Sequence, residues 1–303
     1  MTINPKETET AVFHQYLLSS VSPRPIALAS TIDSNGHVNL SPFSFFNCFS
    51  INPPILVFSP SRRVRDNTTK HTLENILETK EVVIHIVNFS MAEQMSLSSV
   101  EFEKGVNEFI KAGFTETKST KVLPPRIAEA PISFECRVNE VISFGKKAGA
   151  GNLIICEVLL AHFKDEILDE KKMISPQKLD AIARMGANWY CRANNESLFE
   201  LPKPGSKMAI GFDKLPSSIL KSDILTGNNL ARLASVEKMP PITKKTYSTI
   251  YKQMVELHEN SNANKEAFIT TVHNKIKVFI DANNIQQAWK LVIVADDFIN
   301  TLP

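Results

Sequence analysis

An Asn35-Gly36 pair set between two alternating apolar runs commits the start of this chain to antiparallel pairing. Ile26, Leu28 and Ile32 alternate with Ala27, Ala29 and Thr31 before it, and Val38 and Leu40 follow. Both turn residues tolerate positive φ, so the pair predicts a tight hairpin. Comparable signals recur downstream. Asn52-Pro53-Pro54 forces a turn ahead of a short apolar run at 55–58 that stops at Pro60, and residues 82–87 read as a buried strand. Ile132, Phe134, Cys136 and Val138 alternate with Ser133, Glu135, Arg137 and Asn139. An apolar run returns at 153–163, after a loop with glycines at 145, 149 and 151 whose composition predicts mobility. Strands joined by short hairpins, with few crossover helices between them, favour an antiparallel barrel over a parallel doubly wound sheet. The expected fold class is mainly β.

Helical patterning is confined to the periphery and the end of the chain. Phe13, Tyr16 and Leu17 mark a short leading segment, Leu73, Ile76 and Leu77 give one apolar face behind a polar loop, and residues 91–113 read as a helical insertion stopped by Gly113. Residues 180–204 open with a helix-like pattern that breaks at Gly186. Near Gly205 the composition shifts from strand to helix, which divides the chain into a barrel domain over 1–205 and a helical extension over 206–303. In the extension Tyr247, Ile250, Tyr251, Met254 and Leu257 share one face, then Phe268, Val272, Ile276, Phe279 and Ile280, then Trp289, Val292 and Ile293. Breaks fall at 260–264 and 282–284. Three such stripes need apolar surface to pack against, expected on the barrel or on a partner subunit.

Several function classes drop out on composition. With 34 Lys and Arg against 32 Asp and Glu, the formal net charge of +2 predicts neither a nucleic-acid nor a membrane partner. No apolar run reaches the roughly 20 residues of a membrane span, and the polar start MTINPKETET has no apolar core behind it, so the expected location is cytoplasmic. Cys48, Cys136, Cys156 and Cys191 lie far apart without CxxC spacing, which points to buried reduced thiols. The histidines lack the pairing and the carboxylate company of a metal site. GxSxG, HExxH and GxxxxGK[ST] patterns are absent, leaving hydrolase, zinc-protease and P-loop readings without support.

The densest chemistry lies between the run at 55–58 and the helix behind it. Ser61, Arg62, Arg63, Arg65, Asn67, Thr68, Thr69 and Lys70 crowd into one short loop. Cations neutralise a phosphate, hydroxyls and amides donate to its oxygens, and the start of the following helix adds the positive end of a dipole. Upstream, Pro42-Phe43-Ser44-Phe45-Phe46-Asn47 mixes aromatics with small polar groups, a mixture suited to walling a planar ligand.

Taken in order, SPRPIALAST, NLSPFSFFN followed by NPPILVFSP, the loop ending TTKHTLENI, VLPPRIAEAPISFECRV, and ARMGANWYCR with the closing LFELPKP resemble the flavin reductase-like proteins of the FMN-binding split barrel fold. The resemblance covers residues 22–204 and fades after Gly205. It implies a six-stranded antiparallel split β-barrel with peripheral helices, a C-terminal helical extension of unassigned role, and a homodimer with FMN near the subunit interface. It also implies that Ser44, Phe45, Phe46 and Asn47 lie along the ribityl chain and isoalloxazine. Arg63, Asn67, Thr68, Thr69 and Lys70 would take the phosphate, with Ser61 beside them. Arg184 and Met185 belong to a segment that approaches the flavin, and Ala187 stands where a second glycine is common. His71 stands where the family usually has an acid.

Hydride transfer from a nicotinamide to a flavin needs two rings stacked roughly 3.5 Å apart, and the cofactors supply the chemistry, so no catalytic side chain is expected. The resemblance accordingly implies an enzyme, an FMN-binding oxidoreductase of flavin reductase type that passes electrons from NADH or NADPH through FMN to a flavin or protein acceptor. Two alternatives stay open: an FMN-containing electron carrier without direct nicotinamide oxidation, and a flavin-binding storage or sensing module. No GxGxxG with a downstream acid is present to indicate which nicotinamide is used.

Overall fold

A computed structural model describes residues 1–201 and 208–302, and the chain divides into two units, Met1–Phe199 and Glu200–Pro303. The boundary expected near Gly205 falls outside the described residues. The first unit begins with α1 (Thr10–Ser20), β1 (Ala27–Ile32), β2 (Val38–Phe43), β3 (Phe46–Ser50) and β4 (Ile55–Phe58). Next come α2 (His71–Thr79), β5 (Glu81–Ile86), α3 (Ala92–Leu97), α4 (Glu108–Ala112) and the short pair β6 (Glu116–Thr117) and β7 (Arg126–Ile127). The long strands β8 (Ile132–Ser143) and β9 (Asn152–Phe163) follow, then α5 (Pro176–Leu179), β10 (Ile182–Arg184) and β11 (Tyr190–Arg192).

Seven of these strands form one sheet in the order β2-β1-β5-β8-β9-β4-β3, antiparallel throughout. The order itself dictates the curl. β2 and β3 sit at opposite ends of the sheet, yet only Ser44 and Phe45 join them. Three peptide steps reach at most about 11 Å, whereas six strand spacings laid flat cover roughly 29 Å. The sheet therefore rolls until its two edges nearly meet, giving the split barrel, and the Phe43 and Phe58 rings lie 5.3 Å apart inside it. The expectation of six strands is corrected to seven. The extra one is β3, whose Phe46, Asn47 and Cys48 pair with Phe58, Val57 and Leu56 although its mixed polarity reads as a loop.

Alternation in β1 explains why a strand of small and large apolar residues is buried on both faces. Ala27 and Ala29 face the barrel interior with Phe43, Phe58, Ile84, Cys136 and Ile154, and α2 supplies Leu73 and Ile76 to the same core. Ile26 and Leu28 face outward into a second cluster with Met91 and Met95 near α3 and with Phe109 of α4. At fully buried positions each such side chain is worth about 1.5–3 kcal/mol of transfer free energy. The first hairpin lies where Asn35-Gly36 places it, but its turn is wider than expected. Only Gly36 takes positive φ (89°), and Asp33 closes the loop by accepting N–H bonds from Asn35 (2.9 Å) and His37 (2.8 Å).

Two local expectations change. The helix-like pattern at 180 is overridden by pairing, because Ile182, Ala183 and Arg184 pair with Arg192, Cys191 and Tyr190 across the Gly186 turn, and the helix lies earlier, ending at Leu179. The glycine loop between β8 and β9 is tied down, with Arg62 N donating to Ala150 O (2.8 Å) and Gly149 N to Arg62 O (3.2 Å). Of the cysteines, Cys136 and Cys156 are buried free thiols, whereas Cys48 is exposed on β3 and Cys191 is half-buried.

The second unit contains α6 (Ser217–Leu220), α7 (Gly227–Ala234), α8 (Lys244–Asn260), α9 (Lys265–Asp281) and α10 (Ile285–Ile299). The side chains of Thr226, Thr243, Asn264 and Asn284 each accept a backbone N–H at a helix start. The three stripes close on one another: Met254, Phe268, Val272, Ile276, Trp289 and Val292 share one buried cluster, and Trp289 Nε1 donates to Leu233 O at 3.0 Å. Phe279 departs from its stripe and is exposed. Among the described residues no helix is long and apolar enough to cross a membrane.

Candidate functional site

The basic loop is shaped by its own hydrogen bonds before it meets any ligand. Arg63 N donates to Thr68 O (2.9 Å) and Asn67 N to Arg63 O (3.0 Å), with Asn67 in the left-handed region at φ 57°. Arg62 Nε holds Asn67 Oδ1 (2.7 Å), the Asp66 carboxylate accepts from Thr68 N and Oγ1, and Asn67 Nδ2 reaches Lys146 O of the glycine loop. This bracing leaves Arg63 and Lys70 on the wall of a hollow shared with Asn39 and Ser41 of β2, His71 and Thr72 of α2, Ser99 and Glu101.

Three cations converge there on one carboxylate. Arg63 Nε lies 2.9 Å and Lys70 Nζ 3.5 Å from Glu101 Oε1, and Arg65 Nη2 lies 2.7 Å from Oε2. Partial burial works to raise the Glu101 pKa, but the Arg63 hydrogen bond and the charges of Lys70 and Arg63 outweigh it and hold the group below the ordinary carboxylate range. A side-chain anion thus already satisfies this donor set, which is a direct test that the residues fit an anionic group. The His71 pKa also moves down, which for an imidazole removes charge. Burial, with the charges of Arg63, Lys104 and Lys70, lowers its pKa despite Glu74, and favours the neutral ring.

The opposite end of the site is organised by Arg24, a residue buried between two prolines. Its guanidinium donates to Val21 O (2.7 Å) and Leu18 O at the end of α1, to Met185 O (2.8 Å), and to Ser44 Oγ (3.4 Å). Its backbone pairs with that of Arg184, whose own guanidinium lies over the Tyr190 ring at 4.6 Å. Burial and then the charge of Arg184 lower the Arg24 pKa. One turn is set tightly. A Cβ on Gly186 would fall 2.1 Å from Ser19 Oγ and 3.1 Å from Ser19 Cα, and Ala187 next to it takes φ 48°, a conformation that suits glycine. Together these groups surround a cleft of about 240 Å³ lined by His14, Arg24, Ser44, Phe45, Arg184 and Met185.

A middle hollow of about 160 Å³ lies between the two ends. It shares Ser99 with the cationic hollow, and Pro42, Phe43, Ser44 and Arg184 with the arginine-lined cleft. The path follows β2 in sequence order, from Asn39 and Ser41 at the cations to Ser44 and Phe45 at the far end.

Six of the residues expected from sequence line this path: Ser44, Phe45, Arg63, Lys70, Arg184 and Met185. Phe46 packs against the barrel core, Asn47 bonds the Cys48 N–H on the exposed edge, and Ser61 bridges to Gly151. Asn67, Thr68 and Thr69 spend their side chains on the loop and on Glu74. Sequence reasoning passed over Arg24, Ser41, Ser99, Glu101 and Tyr190. Only Arg24, a cation enclosed in SPRP, carries a local signal; the others are gathered by the curl of the sheet.

Comparison with known proteins follows the first unit. The family model described as flavin reductase like domain matches residues 19–181. An uncharacterized protein of Aquifex aeolicus is 40% identical over 191 residues, covering 63% of this chain and 95% of its own length. Nitrilotriacetate monooxygenase component B from Bacillus cereus has 27% identity and a TM-score of 0.62 over 66% of this chain and 98% of its own. The 2-nitrobenzoate 2-nitroreductase of Pseudomonas fluorescens has 30% identity and a TM-score of 0.58, covering 68% and 100%.

Proposed function

The chain belongs to the flavin reductase-like family, and on that footing we propose that it binds FMN and acts as an NAD(P)H-dependent oxidoreductase, delivering electrons to a flavin or protein acceptor. The observation that carries this reading is the row of neighbouring hollows beside β2, with three cations at one end and an arginine- and phenylalanine-lined cleft at the other. From Asn39 to Ser44 that strand extends roughly 17 Å, which suits a phosphate, a polyol chain and a planar ring laid in line. A single cation cluster at one end favours FMN over FAD.

Bound FMN would supply the hydride and electron chemistry. Lys70 and Arg63 would hold the phosphate, with the Ser41 hydroxyl beside them, and Ser44 and Ser99 would offer hydroxyls along the middle of the path. Arg184, held over Tyr190, would offer a positive charge to the ring end of a bound flavin. Arg24 fixes Ser44 and the Met185 carbonyl relative to α1. None of these groups needs to gain or lose a proton. The similarity to a monooxygenase component supports an acceptor separate from the enzyme. Phe49 and Ile51, 67% and 90% exposed at the β3 edge, support the homodimer.

Titration with FMN, FAD and riboflavin tests the phosphate end of the site. FMN is expected to bind at least about tenfold tighter than riboflavin, and Lys70→Ala to cost about 1.5–3 kcal/mol of FMN binding while leaving riboflavin unaffected. Equal affinity for FMN and riboflavin would remove the basic loop from the site.

A further inference from the structure

We infer that Glu101 is an internal occupant of the phosphate subsite, so that FMN enters by displacing this carboxylate and is an exchanging flavin rather than a permanently held group. The inference rests on the FMN reading above and adds to it a residue that no sequence motif marks.

These donors already have partners. Arg63 Nη1 is held by Thr68 Oγ1 (2.9 Å) and Thr69 O, and its Nε donates to Glu101 Oε1 (2.9 Å). Arg65 Nη2 and Lys70 Nζ are taken by the same carboxylate. A phosphate that reaches these donors meets Glu101 at contact distance, where two anions repel. Exposure is unequal between Glu101 and the two inner cations. Arg63 is 14% exposed and braced by the loop, and Lys70, 28% exposed, leads directly into α2, whereas Glu101 is 36% exposed on the irregular segment between α3 and α4. The acid therefore lies on the solvent side of Arg63 and Lys70, and withdrawing it leaves those two cations in place.

Charge arithmetic points the same way. Arg63, Arg65 and Lys70 contribute three positive charges, and Asp66 and Glu101 two negative ones, with Asp66 fixed to Thr68 and to Arg65 at 3.2 Å. The cluster carries one net positive charge with Glu101 in place and two once it leaves, which balances a phosphate monoester near its dianionic state. Ser99 and Phe102 from the same segment line the hollow, so outward movement of Glu101 also widens the entrance to the middle of the path.

The test compares wild-type protein with Glu101→Gln, which keeps the side chain's size and removes its charge, and with Glu101→Ala, which empties the position. Both variants are expected to bind FMN about tenfold more tightly than wild type and to release it more slowly by a similar factor, while riboflavin affinity stays within about twofold. Unchanged or weakened FMN binding in both variants would overturn the inference and make Glu101 an organiser of the cations. Equal tightening toward riboflavin would also overturn it, because the effect would not act through the phosphate. Failure of wild type and both variants to bind FMN at all would instead overturn the FMN reading itself, and this inference with it.

Discussion

At the scale of single residues, His85 shows how burial fixes a protonation state. Its Nδ1 lies 2.8 Å from Leu28 O and its Nε2 accepts from Ile127 N at 2.9 Å, so the ring is held as the Nδ1–H tautomer and a second proton would face an N–H. Burial lowers its pKa from 6.5 to about 4, with the Leu28 carbonyl opposing the shift and Arg126 reinforcing it. As pH falls the unfolded chain takes up a proton before the folded one does. The stabilisation is therefore complete above about pH 6.5 and declines down to about pH 4, with a loss of roughly 2 kcal/mol between pH 7 and 5. Denaturant unfolding at the two pH values measures the loss, and NMR of the imidazole nitrogens checks its source. A ring that titrates near its ordinary value would contradict this assignment. In the sequence His85 is one apolar-flanked histidine among seven, and only the pairing of β1 with β5 brings Leu28 beneath it.

The organising element is β2 with its two-residue exit. It is an edge strand, yet Glu108 of α4 covers part of it, accepting from Leu40 N (2.9 Å) and Asn39 Nδ2 (2.8 Å), and burial raises that carboxyl's pKa. The covered edge then runs alongside the whole path. Most of this was legible as elements: alternation at 26–40, the Pro-rich turn at 52–54 and the apolar run at 55–58 all reappear as strands and turns. The β10–β11 hairpin was not, because Ala183 and Arg184 carry helical propensity that long-range pairing overrides. Its turn supplies the sharpest test at this scale. Gly186→Ala must push Ser19 backbone and side chain away, with an expected loss of about 1–3 kcal/mol in stability. Flavin affinity should fall several-fold as well, since Met185 and Ala187 of the same turn line the cleft. Unaltered unfolding and affinity would show that α1 yields freely at this contact.

For the molecule as a whole, the two units have separate apolar clusters, one in the helical unit and two in the barrel unit. Patterning identified the helical stripes and expected surface for them on the barrel or a partner; Trp289 and Phe268 share a core with the other helices of their own unit. Likewise the sequence marked the two ends of the candidate site and missed its middle. Ser44, Ser99 and Tyr190 lie far apart along the chain and line one hollow only when seven strands roll into a split barrel. On the function proposed above, these assembled hollows would hold FMN open to a nicotinamide. Anaerobic mixing of FMN-loaded protein with NADH or NADPH tests it most directly. Oxidised-flavin absorbance should bleach in one phase whose rate saturates with nicotinamide and varies little between about pH 6 and 8, whereas FMN that stays oxidised with both nicotinamides would contradict the account.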